Sequence, residues 1–253
     1  MKKSVFIVLF FCLCVTSTLH ADVHVKQVVH RDEFYDGGVV TPASDIEIEM
    51  WFGGKRMAYH GADWIGIIDA GSSLLYFANK RDSVYFEIPL PAVEKNHVSE
   101  ELGQTLGQYF VDGSVESEQA EKTILERRCK CFTCKDDITF EDLHFYDREK
   151  TVWITEDVPF DWTLWNDMRN VIRGFFNPRE QYSKQLERLS GFELAEESKR
   201  YDRGNIVVSN TGVVEITKRE APEGVYSVPE GFTRKEEFER NEIISLRSII
   251  YIF

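Results

Sequence analysis

Positive charge is scarce in this sequence. Lys and Arg number 30 against 43 Asp and Glu, a formal charge of -13. Nucleic acids and anionic lipid headgroups both require clustered Lys and Arg, so neither is an expected partner. The acidic excess is read as a solubility device. Apolar runs of membrane length are missing as well. Beyond the first 21 residues none approaches the roughly 17–25 residues of a spanning helix, so no integral membrane segment is expected in the mature chain. No Gly/Ser-rich linker and no repeat beyond the spacing of short strands divides the chain. Its 253 residues suffice for one large β domain whose core needs no metal or disulfide. There is no Gly-x-Ser-x-Gly elbow, phosphate loop, dinucleotide fingerprint or His-x-x-x-His pair. These absences point away from an enzyme, and they imply no cofactor and no metal.

The first residues set the compartment. Lys2 and Lys3 precede an apolar run from Val5 to Val15, and Leu19-His20-Ala21 offers a cut after Ala21. This is the pattern of a secretory signal peptide, 1–21, with a run too short to span a bilayer. The mature protein is expected in the periplasm or otherwise exported.

The stretch from Asp45 to Pro91 carries most of the architectural signal. Short runs rich in β-branched and aromatic residues are separated by Gly53-Gly54, His60-Gly61, Asp69-Ala70-Gly71-Ser72 and Asn79-Lys80-Arg81-Asp82. Turns recurring about every nine residues predict consecutive antiparallel strands. Ile46, Ile48 and Met50 alternate with Glu47 and Glu49, and Val84, Phe86 and Ile88 with Tyr85 and Glu87. Period two puts one face in a dry core and one in water. On this alternation Met50, Met57, Ile65, Ile67, Phe86 and Ile88 are candidate lining for an apolar concave face. Asp45, Glu47 and Glu49 share a strand face that is read as solvated.

On either side the pattern continues. Asp22 to His30 predicts a first strand. Glu94 to Val111 shifts to helical spacing, weakened by Gly103 and Gly107. Residues 112–127 are polar and acidic, a loop or a solvated strand edge. Lys150 to Glu156 predicts a strand. Pro159 to Phe176 predicts the clearest helix, with an apolar stripe at Leu164, Trp165, Met168, Val171, Ile172 and Phe175 and Asp161 as its N-cap. A second helix is predicted after Asn177, stopping at Gly191. Three short strands follow between Phe192 and Lys218. The domain is expected to span 22–236. An apolar tail, 237–253, is left over; it adds a strand, docks into the apolar face or aggregates if exposed.

The sharpest local feature is Cys129-Lys130-Cys131-Phe132-Thr133-Cys134. In an exported protein it suggests one structural disulfide, Cys129 with Cys134 or Cys131 with Cys134, and one spare thiol. A redox pair at Cys131 and Cys134 and half a zinc site are the alternatives. No second Cys-x-x-Cys completes the latter.

Several segments together resemble a known family. The exported start, EIEMWFGGKRMAYH, WIGIIDAGSSLLYFANKRDSVYFEIPLP, KTVWITEDVPFDW, RLSGF and VVEITKREAPEGVYSVPEGFTRKE resemble an uncharacterised family of exported bacterial proteins. That family is in turn similar to the outer-membrane lipoprotein carrier (LolA/LolB-like) fold. The resemblance implies a half-open antiparallel β-barrel wrapped over helices, with an apolar concavity that holds acyl chains in the carriers. The expected fold class is thus mainly β (α+β), a half-open barrel or curved sheet packed over two or three helices. The expected function is a non-enzymatic carrier or sensor of a lipid, acyl chain or lipoprotein. A structural or protein-interaction module with a self-filled core is the first alternative, and a thiol-dependent redox protein using Cys131 and Cys134 the second.

Overall fold

The computed structural model describes residues 21–36, 39–91, 97–141, 143–176, 178–202, 204–246 and 249. The predicted leader, apart from Ala21, lies outside them, as do Asn177 and most of the apolar tail beyond Leu246. The chain is mainly β, built on one large curved sheet, with four helices among the described residues.

Two antiparallel meanders make the sheet. The first comprises β4 (Ser44–Gly53), β5 (Arg56–His60), β6 (Trp64–Asp69), β7 (Leu74–Asn79) and β8 (Val84–Pro89). Its turns follow the sequence chemistry. Gly54 supplies the positive φ between β4 and β5. Asp69 Oδ1 accepts from the amides of Gly71 and Ser72, and Asn79 Oδ1 accepts from those of Arg81 and Asp82. Both are side-chain mimics of a backbone turn. The second meander comprises β9 (Tyr109–Ile124), β10 (Arg127–Phe140), β11 (Leu143–Thr155), β12 (Phe192–Asp202) and β13 (Asn205–Lys218). The first strand, β1 (Val23–Arg31), pairs with β4 on one side and β13 on the other, joining the halves.

β14 (Thr233–Lys235) adds parallel to β8, so the order is β14-β8-β7-β6-β5-β4-β1-β13-β12-β11-β10-β9. Among the described residues β9 and β14 do not pair, and the sheet is open. A separate hairpin, β2 (Phe34–Asp36) and β3 (Val39–Thr41), lies between β1 and β4 in the chain.

Four helices lie with the sheet: α1 (Glu100–Leu106), α2 (Thr163–Gly174), α3 (Glu180–Leu186) and α4 (Arg240–Leu246). The stripe on α2 is buried as its period requires, at Leu164, Trp165, Met168, Val171 and Ile172. Asp161 Oδ1 accepts from Thr163 N at 3.0 Å and Thr163 Oγ1 at 2.5 Å, which secures the helix start. Glycine lets α2 approach the sheet: a Cβ on Gly66 of β6 would stand 2.7 Å from the Met168 sulfur. The helix predicted over 94–111 is shorter. Ser99 caps it, and the chain turns to strand at Tyr109. Gly191 does not end α3, which stops at Leu186. It sits at φ +124 where a Cβ would meet Ile154 Cγ2 and Thr155 O at 2.7 Å, so it serves a close approach to β11.

The sheet buries both faces over the first meander. On the helix side, Met50, Met57, Ile68, Leu75, Phe77, Phe86 and Ile88 join α2 and α4 residues in one large core. On the other side Trp51, Ala58, Ile65, Ile67 and Ala78 form a smaller core with Val225, covered by Ala221, Tyr226, Val228 and Phe232. This double cover explains why Trp64-Ile65-Gly66-Ile67-Ile68 is apolar throughout rather than alternating.

Candidate functional site

The predicted apolar lining divides between the two faces. Met50, Met57, Phe86 and Ile88 face the helices; Ile65 and Ile67 point to the opposite side, beneath the 221–232 segment. The alternation phase of β6 starts inward at Trp64, which reverses the parity assumed for its isoleucines. The four inward residues are at most 1 % exposed. Phe238 covers Phe86 with stacked rings 3.7 Å apart, Trp64 Nε1 donates to Ser245 Oγ at 2.9 Å, and Trp165 stacks on Tyr59 at 6.0 Å. The concave face is filled by the protein's own α2 and α4.

Cys129, Cys131 and Cys134 are free and buried, with no disulfide among the three. All lie on β10, a strand the sequence reading did not place there. Extended backbone separates Cys129 from Cys134 by roughly 16 Å and Cys131 from Cys134 by roughly 10 Å, whereas a disulfide needs less than about 7 Å. A bulge between Lys130 and Phe132 changes the register around Cys131, while Cys129 and Cys134 join the helix-side core. Burial pushes all three thiols up, Cys134 to about 11. A nucleophilic thiol needs the reverse, and the geometry gives the redox alternative no support.

The second meander holds the site that hydropathy concealed. On the face where the first meander carries core, β10, β11 and β12 place charged residues in register. Cys134 pairs with Lys150 and Lys150 with Ser198; Asp136 pairs with Arg148; Val152 pairs with Glu196 and Ile154 with Glu193. A bulge between Trp153 and Ile154 shifts the β12 register, and Glu193 and Leu194 are both buried there. Asp136, Arg148, Lys150, Glu193 and Glu196 are each at most 3 % exposed. Helix α2 adds Arg169, also buried, and Arg173 one turn on; α3 adds Tyr182.

Asp136 is the hub. Arg148 and the Tyr182 hydroxyl both donate to it, and Lys150 Nζ stands 3.8 Å away. Burial opposes its ionisation, but Lys150, Arg148 and Tyr182 together hold its carboxyl below the ordinary value. Burial and Asp136 push the Tyr182 phenol up, so it remains a donor. The other acids are poorly compensated. Burial, reinforced by Glu193, pushes Glu196 up to about 7, and burial raises Glu193 as well. Glu193 and Arg169 stand 3.9 Å apart without a hydrogen bond, and all three guanidinium nitrogens of Arg169 lack a hydrogen-bond partner. A sequence signal existed: the basic residues of β11 share the parity of Val152 and Ile154.

A cleft of about 500 Å³ opens between α2 and α3, lined by Trp162, Asn166, Asn170, Arg173, Ser183 and Ser190 among others. Arg173 both lines this cleft and reaches the buried cluster. Asn170 Oδ1 accepts from its Nη1 at 3.3 Å, and Arg169, Tyr182, Glu193 and Asp136 act on it electrostatically. Burial, then Arg169, push it down to about 9. On the outer surface Asp137, His144 and Asp147 gather within 4.8 Å, and the bond to Asp147 raises the His144 pKa.

No family model and no curated protein matches the sequence. Among solved structures the chain is similar to PNGF-II in the C2 space group, with a TM-score of 0.38 and 9 % identity over 90 % of this chain. It spans about a third, 33 %, of that protein's length. At that TM-score the likeness carries no argument. No described helix is long and apolar enough to cross a membrane.

Proposed function

We propose that this protein is an exported, non-enzymatic interaction module whose half-open β wrap is filled by its own helices. One observation carries the reading: Met50, Met57, Phe86 and Ile88 lie at most 1 % exposed beneath α2 and α4. An apolar ligand site needs concave apolar surface left open to a ligand. Here that surface is already used for folding. The signal-peptide pattern supports export, and the acidic balance supports a partner other than nucleic acid.

A second reading, the lipid or acyl-chain carrier, is favoured by a different feature. Phe238 and α4 follow the short β14, and Phe238 covers Phe77 and Phe86. Its displacement would bare apolar concave surface of the kind an acyl chain occupies. Titration with 1-anilinonaphthalene-8-sulfonate separates the readings. The filled module gives no saturable fluorescence rise at neutral pH, and a truncation before Phe238 gains one. A saturable rise in the intact protein, competed by a fatty acid, supports the carrier and contradicts the module.

A further inference from the structure

We propose that Asp137, His144 and Asp147, at the hairpin end of β10 and β11, bind a divalent transition-metal ion, zinc being the ion their donor set fits best. The inference is independent of the filled concave face, because the three side chains are exposed on the outer surface of the second meander.

The first ground is how the two strands assemble the site. Asp137 and Asp147 stand directly opposite each other on β10 and β11. Both face away from the core, because their neighbours Asp136, Ile138, Tyr146 and Arg148 are the buried residues of the alternation. His144 has the parity of Tyr146 and Arg148 and would point inward on a regular strand. A bulge between Ile138 and Thr139 resets the register, so that His144 pairs with Thr139 and lies exposed beside the two acids. Like charges directly opposite in a sheet repel. Among the described residues no Lys or Arg pairs with either aspartate, and His144 is their shared basic partner. Asp112, which continues the row opposite Asp137, is by contrast held by Arg179 at 3.5 Å.

The second ground is the aim of the imidazole. His144 Nε2 stands 3.0 Å from Asp147 Oδ1 and 3.9 Å from Asp137 Oδ1, so one ring nitrogen addresses both acids. His30 shows the plain ion-pair arrangement: Nδ1 meets Asp45 at 2.6 Å and Nε2 meets Asp32 at 3.1 Å, one acid to each nitrogen. The donor atoms of Asp137, His144 and Asp147 all lie within 4.8 Å of one another. Ligands about 2.1 Å from a common ion stand roughly 3–4 Å apart, so small side-chain rotations complete the set. The charges match as well. Two carboxylates balance a divalent cation while neutral His144 gives its Nε2 lone pair; a proton on His144 offsets only one of them. Imidazole with carboxylates suits zinc and its first-row neighbours, whereas calcium and magnesium seek oxygen ligands. Three protein ligands leave a coordination position for water. Each of the three side chains is a little over half exposed, so the ion enters without any rearrangement of the fold.

Calorimetric titration of the chelator-treated, dialysed protein with zinc sulfate at pH 7.5 tests this, against calcium and magnesium chloride. The expected result is saturable one-to-one binding of zinc and no saturable binding of calcium or magnesium. His144→Ala and Asp147→Asn each lower the zinc affinity about tenfold or more, through loss of one of three protein ligands. Both positions are exposed, so circular dichroism is expected to show the same fold in each variant. His30→Ala, at the plain ion pair, leaves the affinity unaltered. Loading with cobalt(II) separates this site from the cysteines of β10, because nitrogen and oxygen ligands give no thiolate charge-transfer band. Absence of saturable zinc binding, calcium binding as tight as zinc, unaltered zinc affinity in His144→Ala, or a thiolate band with cobalt overturns the proposal.

Discussion

At the scale of single residues, the buried charges decide the behaviour of the second meander. Asp136 stabilises Arg148 and Lys150 where water cannot. Asp136→Ala strands two cations in the interior, and equilibrium urea unfolding is expected to show a loss of about 3–5 kcal/mol. The pKa of Asp136 is lower folded than unfolded, so its contribution is present above the unfolded value and is lost as pH falls through the folded one. Glu196 has the opposite sign. Its carboxyl is pushed from 4.5 to about 7 by burial first and Glu193 second. Between those values the folded state holds a proton that the unfolded state has released, so this residue destabilises the fold progressively as pH rises through about 7. Glu196→Gln should flatten stability between pH 5 and pH 8 and raise it at pH 8 by about 1–3 kcal/mol. Urea midpoints at each pH check both the sign and the window. None of this was legible from composition, because Lys, Arg, Asp and Glu read as surface. Only Arg148 and Lys150 carried a mark, their parity with Val152 and Ile154 on β11.

At the scale of elements, period and turn chemistry carried what could be read. The first meander and α2 were legible because their residues obey one period and their turns contain Asp, Asn and Gly in the required places. The predicted turns between β4 and β8 lie where the strands end. β9 and β10 were not legible as long strands. Exposed polar residues fill much of β9, as suits an edge strand, and buried charge interrupts the apolar parity of β10. The same blind spot produced the disulfide expectation, since Cys-x-x-Cys bridges only when the backbone turns, and here it is extended. The tail was read as apolar, with docking into the apolar face one of three expected fates. Phe238 is 2 % exposed and packs on Phe86 and Phe175. Phe238→Ala is expected to cost about 3–5 kcal/mol, read as a lower thermal midpoint, because the site is bounded by sheet and helix and cannot collapse fully.

At the scale of the whole molecule, two meanders joined through β1 make one sheet with two differently furnished halves. The first half is apolar on both faces, covered by α2 and α4 on one and by the 221–232 segment on the other. The second half encloses an ionic cluster beneath α2 and α3. The resemblance to lipoprotein carriers implied an open apolar concavity; the described residues show that surface covered by the chain itself. The most direct measurement is native mass spectrometry of the protein purified from an exported fraction without detergent, compared with its denatured mass and a lipid extract. A filled interior predicts equal masses and no stoichiometric lipid. A one-to-one mass excess that the extract identifies as lipid would contradict it.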